Sequence, residues 1–93
     1  MMSGMEVPKV LGAYFRDGRL VALPRRRAAR LAVLDLLAGQ FEPGKEYPEP
    51  TVNAVLAHFY PDFCALRRYM VDEQFMERRG GVYWRAGGTF DMG

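Results

Sequence analysis

The fold class follows from residues 49–85, which read EPTVNAVLAHFYPDFCALRRYMVDEQFMERRGGVYWR. Between residues 52 and 59, apolar side chains recur at the i, i+3, i+4 and i+7 positions of one helix face. This spacing predicts a helix over about 49–59, and a proline in its first turn is compatible with it. The following Tyr60-Pro61 dipeptide ends the helix, because proline cannot continue the hydrogen-bond ladder.

A second helix and a hairpin are predicted directly after this break. Asp62 is an N-cap residue type and precedes a segment that we expect to be helical over about 63–73. Strands follow over 75–79 and 82–85, joined by Gly80-Gly81, a dipeptide that readily adopts the positive φ angles of a tight turn. Two helices joined by a short turn and followed by a small hairpin are typical of a winged helix.

The preceding residues predict another hairpin and another helix. Residues 13–23 read AYFRDGRLVAL, in which Asp17-Gly18 is a strong two-residue hairpin signal. A helix is expected over about 25–38, after a proline and with Gly39 as its C-cap. Nine of the eleven residues over 28–38 are apolar, so this helix should be covered on several sides, with the hairpin on one flank.

Together these elements predict an α+β fold: a winged-helix-like domain, in which a helix-turn-helix and a short C-terminal β-hairpin wing follow an extra N-terminal β-hairpin. The chain of 93 residues has room for one domain. We expect that domain over residues 13–86, with a flexible lead-in at 1–12 and a flexible tail at 87–93.

Composition excludes several classes of protein. Apolar residues make up 49% and charged residues 26% of the chain, which argues against disorder. A single cysteine cannot form an internal disulfide, and no apolar run approaches the ~20 residues of a membrane span. Because the start of the chain also lacks the pattern of a secretory signal, we expect a cytoplasmic protein without membrane contact.

The sequence contains no recognisable catalytic or metal-binding set, so we expect neither an enzyme nor a cofactor. Cys64 is interpreted as a small buried or half-buried residue, with redox sensing as the alternative. His58 lies near a predicted helix C-terminus, where it can interact with the helix dipole more readily than bind a metal.

Arginine accounts for eleven of the thirteen basic residues, although the formal net charge is only +2. Its planar fork suits phosphate and base-edge contacts, and a GC-rich genome is an alternative explanation for its abundance. The candidate DNA-binding residues are Arg25, Arg26, Arg27, Arg67, Arg68, Tyr69, Arg78 and Arg79.

Within this set, Arg68 is the first choice for reading a base. On a helix over 63–73 it projects away from the apolar face, and an outward Arg can bind guanine O6 and N7 in the major groove. The alternative is a solvated helix face, and outward-facing Asp72 would repel phosphate. The positive charges of residues 25–27 oppose the dipole at a predicted helix N-terminus and so cost stability. This cost favours a use such as phosphate contact. The alternative is that these side chains are hydrated and slightly destabilising.

The chain also resembles a known family. The matching residues are F-x-D-G-R-L at 15–20, Phe41, Tyr47, Val52-Asn53, D-F-x-x-L-R-R-x-x-V-D at 62–72, Arg78 and Tyr83-Trp84-Arg85. With them the chain resembles the prokaryotic DUF2087 family, whose members occur alone or attached to transcriptional regulators. The resemblance implies a winged-helix-like domain and transfers no catalytic or ligand-binding residue. The chain departs from the family pattern at 48–51, where a Ser or Thr cap is expected.

Two functions remain open from the sequence. The first is a DNA-binding or transcription-regulation-associated module, with double-stranded DNA and a regulator protein or homodimer as partners. The second is a protein-interaction or sensing module without DNA contact, which would need an exposed apolar patch, for example around Val21, Leu36 and Trp84. Clustering of Arg68 with Arg78 and residues 25–27 on one face would favour DNA, whereas scattering of these residues beside an apolar patch would favour a partner protein.

Overall fold

The computed structural model describes residues 7–89. In chain order, the elements are a 3-10 helix (Lys9–Tyr14), β1 (Phe15–Arg16), β2 (Arg19–Leu20), α1 (Arg27–Ala38), β3 (Glu46–Pro48), α2 (Glu49–Phe59), α3 (Phe63–Asp72), β4 (Met76–Arg79) and β5 (Val82–Arg85). The strands form two small antiparallel sheets, β1-β2 and β3-β5-β4. The predicted α+β class is therefore confirmed.

The first hairpin has the predicted turn and register. Asp17 and Gly18 have φ angles of 53° and 77°, and Phe15 pairs with Leu20 across the strands. The hairpin was expected to lie on α1. Instead, β2 packs mainly against α2, and the 3-10 helix contacts α1. The buried Pro24 and a bend at residues 25–26 separate the hairpin from α1.

Helix α1 begins two residues later than predicted. Arg26 occupies the N-cap position with an extended backbone (ψ 132°) and makes no side-chain capping bond, since a guanidinium cannot accept a hydrogen bond. Arg25 and Arg26 thus precede the helix, and of the three consecutive arginines only Arg27 lies in its first turn. Gly39 does occupy the C-cap, but with φ −62° rather than a left-handed conformation.

Helices α2 and α3 follow the sequence pattern closely. Helix α2 has the predicted bounds, and a three-residue turn separates it from α3. The Asp62 carboxylate accepts a hydrogen bond from the Ala65 N–H at 3.2 Å, which is the predicted N-cap. Helix α3 ends one residue early, at Asp72, because Gln74 turns into the left-handed region with φ 66°.

The second sheet contains the predicted C-terminal hairpin and one further strand. Strands β4 and β5 pair around Gly80 and Gly81, whose φ angles are 57° and 82°. The segment before α2 forms a strand that was not among the predicted elements. As β3 it pairs with β5, with Tyr47 opposite Tyr83, so the hairpin is joined directly to the chain that enters α2.

The core is built where the three helices meet this sheet and the first hairpin. Its most deeply buried aliphatic residues from the helices are Val33, Leu34, Leu37, Val52, Leu56, Leu66 and Met70. Packing and hydrogen bonding extend beyond the expected 13–86 bounds: Leu11 is buried, and Thr89 bonds to Asp35. Residues 1–6 and 90–93 of the predicted lead-in and tail lie outside the described residues.

Candidate functional site

A groove of about 340 Å³ lies between the outer side of α3 and the β4-β5 hairpin. Three of its lining residues are arginines: Arg67 and Arg68 from α3 and Arg78 from β4. Asp72 is the single carboxylate in the groove lining. The groove therefore carries an excess of positive charge and presents guanidinium groups from two different elements to the same space.

Arg67 is held at the groove by helix α2. Its Nη1 donates a hydrogen bond to Oδ1 of Asn53, and both side chains are half-buried. Residues 53 and 67 are brought together because α2 and α3 pack closely on each other. A guanidinium has five N–H donors, so this single bond leaves the others for a ligand.

Arg78 is held from the opposite wall through a chain of hydrogen bonds. Its Nη1 donates to the Tyr83 hydroxyl at 3.4 Å, and that hydroxyl donates to Glu49 Oε1 at 2.8 Å. The hydrogen bond with Tyr83, together with Coulombic attraction from Tyr83 and Glu49, raises the pKa of Arg78. Arg78 thus stays fully charged, and its anchor is a phenol that is only 1% exposed.

Arg68 is the groove arginine without an anchor. It is exposed, and among residues 7–89 its side chain makes no hydrogen bond or salt bridge within the chain. Its guanidinium is therefore the one most available to a ligand, and its role as the reader of a base stays a prediction.

The arginines before and in α1 do not share this groove. Arg27 pairs with Glu73 through two hydrogen bonds of 2.6 and 3.2 Å, and this bond from Arg27 lowers the pKa of the Glu73 carboxyl. Arg30 stacks over the ring of Tyr69 at 4.8 Å. Positions 69 and 73 are one turn apart on the flank of α3 that faces α1, whereas positions 64, 67, 68 and 71 face the hairpin.

The candidate residues are thus divided between two flanks of α3, and residues 25–27 do not join Arg68 and Arg78 in the groove. Tyr69, one of the candidate DNA-binding residues, is half-buried, and Arg30 lies over its ring. Arg25 and Arg26 are exposed before α1, and Arg79 is exposed at the end of β4 outside the groove lining. The structure brings together Arg67, Arg68 and Arg78 from the candidate set.

The apolar residues named for a partner-binding patch do not converge either. Val21 is 53% exposed and lines a second, shallow hollow of about 440 Å³ beside Tyr60 and Pro61. Leu36 and Trp84 are half-buried and do not line this hollow. An apolar surface at Val21 remains as a separate candidate contact site.

Several other features bear on the class of site. Cys64 is exposed and lines the Arg-rich groove, contrary to the expectation that it would be buried or half-buried. Exposed His58 makes an edge-to-face contact with Phe59 at a centroid distance of 4.9 Å.

Within residues 7–89 there is no cluster of three or more His, Cys, Asp or Glu side chains suited to a metal, and no helix is long and apolar enough to cross a membrane.

Asn53, Glu49 and Tyr83 are site residues that the sequence interpretation missed. Tyr83 and Asn53 were named only as residues of the family signature. A signal was present in the spacing of Glu49 and Asn53, which stand four residues apart on one helix and therefore project from the same face of α2.

Comparison with protein families connects this arrangement to a known group. A family model described as an uncharacterised protein conserved in bacteria, DUF2087, matches residues 19–85, well over half of the chain. The chain belongs to the DUF2087 family. The match covers both walls of the groove in this DUF2087 domain, and the family description assigns it no activity. No curated protein and no solved structure matches the chain.

Proposed function

We propose that this DUF2087 domain is a winged-helix DNA-binding module associated with transcription regulation. Helix α3 would enter the major groove of double-stranded DNA, and the β4-β5 hairpin would contact the backbone beside it as a wing. The order of elements supports this proposal, since a helix, a short strand, two helices joined by a tight turn and a final hairpin follow one another from α1 to β5.

The observation that carries the proposal is the convergence of Arg67, Arg68 and Arg78 on one groove. Exposed Arg68 on the outer side of α3 has the reach and donor geometry for guanine O6 and N7. Arg67 and Arg78, anchored at the two walls, suit phosphate oxygens, which fix the register of a protein on DNA. The carboxylate of Asp72 in the same groove would repel a phosphate. It favours instead a hydrogen-bond donor group of a nearby base.

The size and charge of the domain define how it would bind. A single DNA-binding module buries roughly 600–1,000 Å², a modest part of the 6165 Å² accessible surface here. A net charge of +2 gives little long-range attraction to DNA. The proposal therefore includes a homodimer or a partner regulator as the source of tight, sequence-specific binding.

The proposed role is binding and not catalysis. Among the residues lining the groove, Cys64 is a nucleophile type without a histidine beside it, and Asp72 has no second carboxylate. A nucleophile is commonly activated by a base within hydrogen-bonding reach, and many acid–base mechanisms use two carboxylates. The arrangement of arginines supports recognition of an anionic polymer instead.

The proposal is tested by fluorescence anisotropy of a labelled random duplex titrated with the full chain at low and moderate salt. We expect micromolar binding that weakens steeply with salt, because cations are released from the DNA when phosphates are neutralised. Arg78→Ala should weaken binding. It should also make the negative slope of log association constant against log salt concentration shallower by about 0.9, the value for one lost phosphate contact. Arg68→Ala should weaken binding at low salt as well.

The matched control is Arg16→Ala, which removes the same charge from the first hairpin, away from the groove. If wild type shows no binding at low salt, the DNA-binding function is wrong. If wild type binds and Arg16→Ala weakens binding more than Arg68→Ala or Arg78→Ala does, the groove is not the DNA site.

A second candidate, a protein-interaction module without DNA contact, is favoured by one observation. Val21 is 53% exposed in the hollow formed with Tyr60 and Pro61, and large exposed apolar side chains in a concave surface are common at protein contacts. The same anisotropy experiment separates the two candidates. This function is favoured if the wild type binds no duplex but captures a partner protein, and Val21→Asp loses that capture.

A further inference from the structure

Two side chains of α2 lie beneath the Arg-rich groove. Asn53 accepts a hydrogen bond from Arg67, and Glu49 accepts one from the Tyr83 hydroxyl, which itself accepts from Arg78. Glu49 and Asn53 are separated by one helical turn, so they project from one face of α2. The two anchored guanidiniums of the groove are therefore both held from a single helix.

We propose that Glu49 and Asn53 are positioning residues that hold Arg67 and Arg78 as a preformed pair for one DNA phosphate. Asn53 acts directly on Arg67, whereas Glu49 acts on Arg78 through Tyr83. This inference rests on the DNA-binding function proposed above and adds to it the residues that prepare the phosphate site.

The physical reason is the cost of ordering arginine. A free arginine side chain has many rotamers, and immobilising it on a ligand reduces the affinity that the contact supplies. Anchoring each guanidinium before binding removes part of this cost. One donor of each group is used by its anchor, and the remaining N–H groups stay available for phosphate oxygens.

Tyr83 is suited to be a fixed anchor because the residue is only 1% exposed and its hydroxyl is used as both donor and acceptor. Glu49 is also well placed, since a carboxylate in the first turn of α2 is stabilised by the helix dipole. Its charge nevertheless lies near the proposed phosphate.

The experiment is a pair of double-mutant cycles, measured by anisotropy of a labelled random duplex at low salt with the full chain. Tyr83→Phe removes the hydroxyl and keeps the ring, and we expect binding to weaken by about threefold to tenfold, the effect of one hydrogen bond. In an Arg78→Ala background the same change should have no further effect. Asn53→Ala should behave in the same way with Arg67→Ala. Glu49→Ala removes the acceptor for the Tyr83 hydroxyl, and its effect on binding should likewise depend on the presence of Arg78.

Tyr14→Phe is the matched control, because it removes a phenol hydroxyl from the 3-10 helix at a half-buried position. The inference is overturned if Tyr83→Phe and Asn53→Ala both bind duplex as tightly as wild type does. It is also overturned if the effects of the paired substitutions on affinity are additive in both cycles. If wild type binds and Arg78→Ala weakens binding while Tyr83→Phe does not, only the positioning role fails. If wild type does not bind duplex, the proposed function itself fails.

A structural effect of Tyr83→Phe is recognised by thermal unfolding of each variant. If that variant does not fold, the Asn53–Arg67 cycle decides, since Asn53 is only half-buried. Coupling in that cycle supports the inference, and additivity contradicts it.

Discussion

At the residue scale, arginine has several distinct roles in this chain. Arg27 is paired with Glu73, and Arg30 lies over the ring of Tyr69. Arg85 is 9% exposed and donates hydrogen bonds to backbone carbonyl groups of Phe41, Gly87 and Thr89. These contacts stabilise the fold, so the number of arginines in the sequence overstates how many are available to bind a ligand.

The Arg27–Glu73 pair predicts a pH-dependent contribution to stability. The hydrogen bond from Arg27 lowers the pKa of Glu73 below its ordinary value of 4.5, so this contribution is present above the unfolded-state pKa and is lost as the pH falls through the folded-state pKa. We expect Glu73→Gln to lower the Tm at pH 7 and to have less effect at pH 3. The measurement is thermal unfolding by circular dichroism at both pH values.

The contribution should be small, because Arg27 has a side chain 66% exposed to solvent and exposed ion pairs are screened by water and salt. Glu77→Gln is the control, since it removes an exposed carboxylate from β4. An equal Tm change in Glu73→Gln at pH 7 and pH 3 would contradict the proposed linkage.

At the scale of elements, turns defined by two adjacent residues fix where the strands pair. Asp17-Gly18 and Gly80-Gly81 both have positive φ angles at their two central positions, the geometry that matches the twist of a two-residue hairpin. In the second hairpin this turn places Arg78 opposite Tyr83. The register of the strands therefore also creates the contact that holds Arg78 at the groove.

Gly81→Ala tests the cost of this turn. Gly81 has φ 82°, and a Cβ placed there would meet no atom within 4 Å, so the expected penalty comes from backbone strain alone. We expect a loss of about 1–2 kcal/mol in the free energy of unfolding, the cost of a left-handed conformation for an L-residue. Urea unfolding followed by circular dichroism measures this loss.

Gly12→Ala is the control for that substitution. A methyl group added at Gly12 would also meet open space, but the φ angle of this residue lies outside the left-handed region. The free energy of unfolding of this variant should differ from that of wild type by less than about 0.5 kcal/mol. Equal losses in the two variants would show that the positive φ angle is not the cause.

At the scale of the whole molecule, one small core joins the three helices to the second sheet. Val33, Leu34, Leu37 and Ala38 of α1 are all fully buried, and α1 contacts both α3 and the 3-10 helix. A chain of 93 residues buries a smaller fraction of its surface than a larger domain does. Each core side chain therefore supplies a substantial share of the stability that keeps the groove intact.

Leu34→Ala tests this dependence. The Leu34 side chain is fully buried, and its truncation should cost about 2–5 kcal/mol through lost burial and the cavity left behind. Small domains are stable by only about 5–15 kcal/mol, so a large fall in Tm is expected. Val21→Ala, at a position 53% exposed, should change the free energy of unfolding by less than about 0.5 kcal/mol.

The sequence by itself determined the elements whose signals are local. The bounds of α2, the Asp62 cap and the two hairpin turns were all predicted, because each depends on residues within one or two turns of chain. The start of α1 was predicted too early because its apolar pattern does not identify a cap, and Arg26 cannot accept the capping hydrogen bond.

Only the tertiary structure decided which side chains form the candidate site. Asn53 and Arg67 are 14 residues apart in sequence, Glu49 and Tyr83 are 34 apart, and Arg27 and Glu73 are 46 apart. Periodicity gives the face of a helix on which an arginine lies, but not the element that covers that face. The packing of α3 between α1 and the β4-β5 hairpin therefore separated Arg27, neutralised by Glu73, from the three arginines that share the groove.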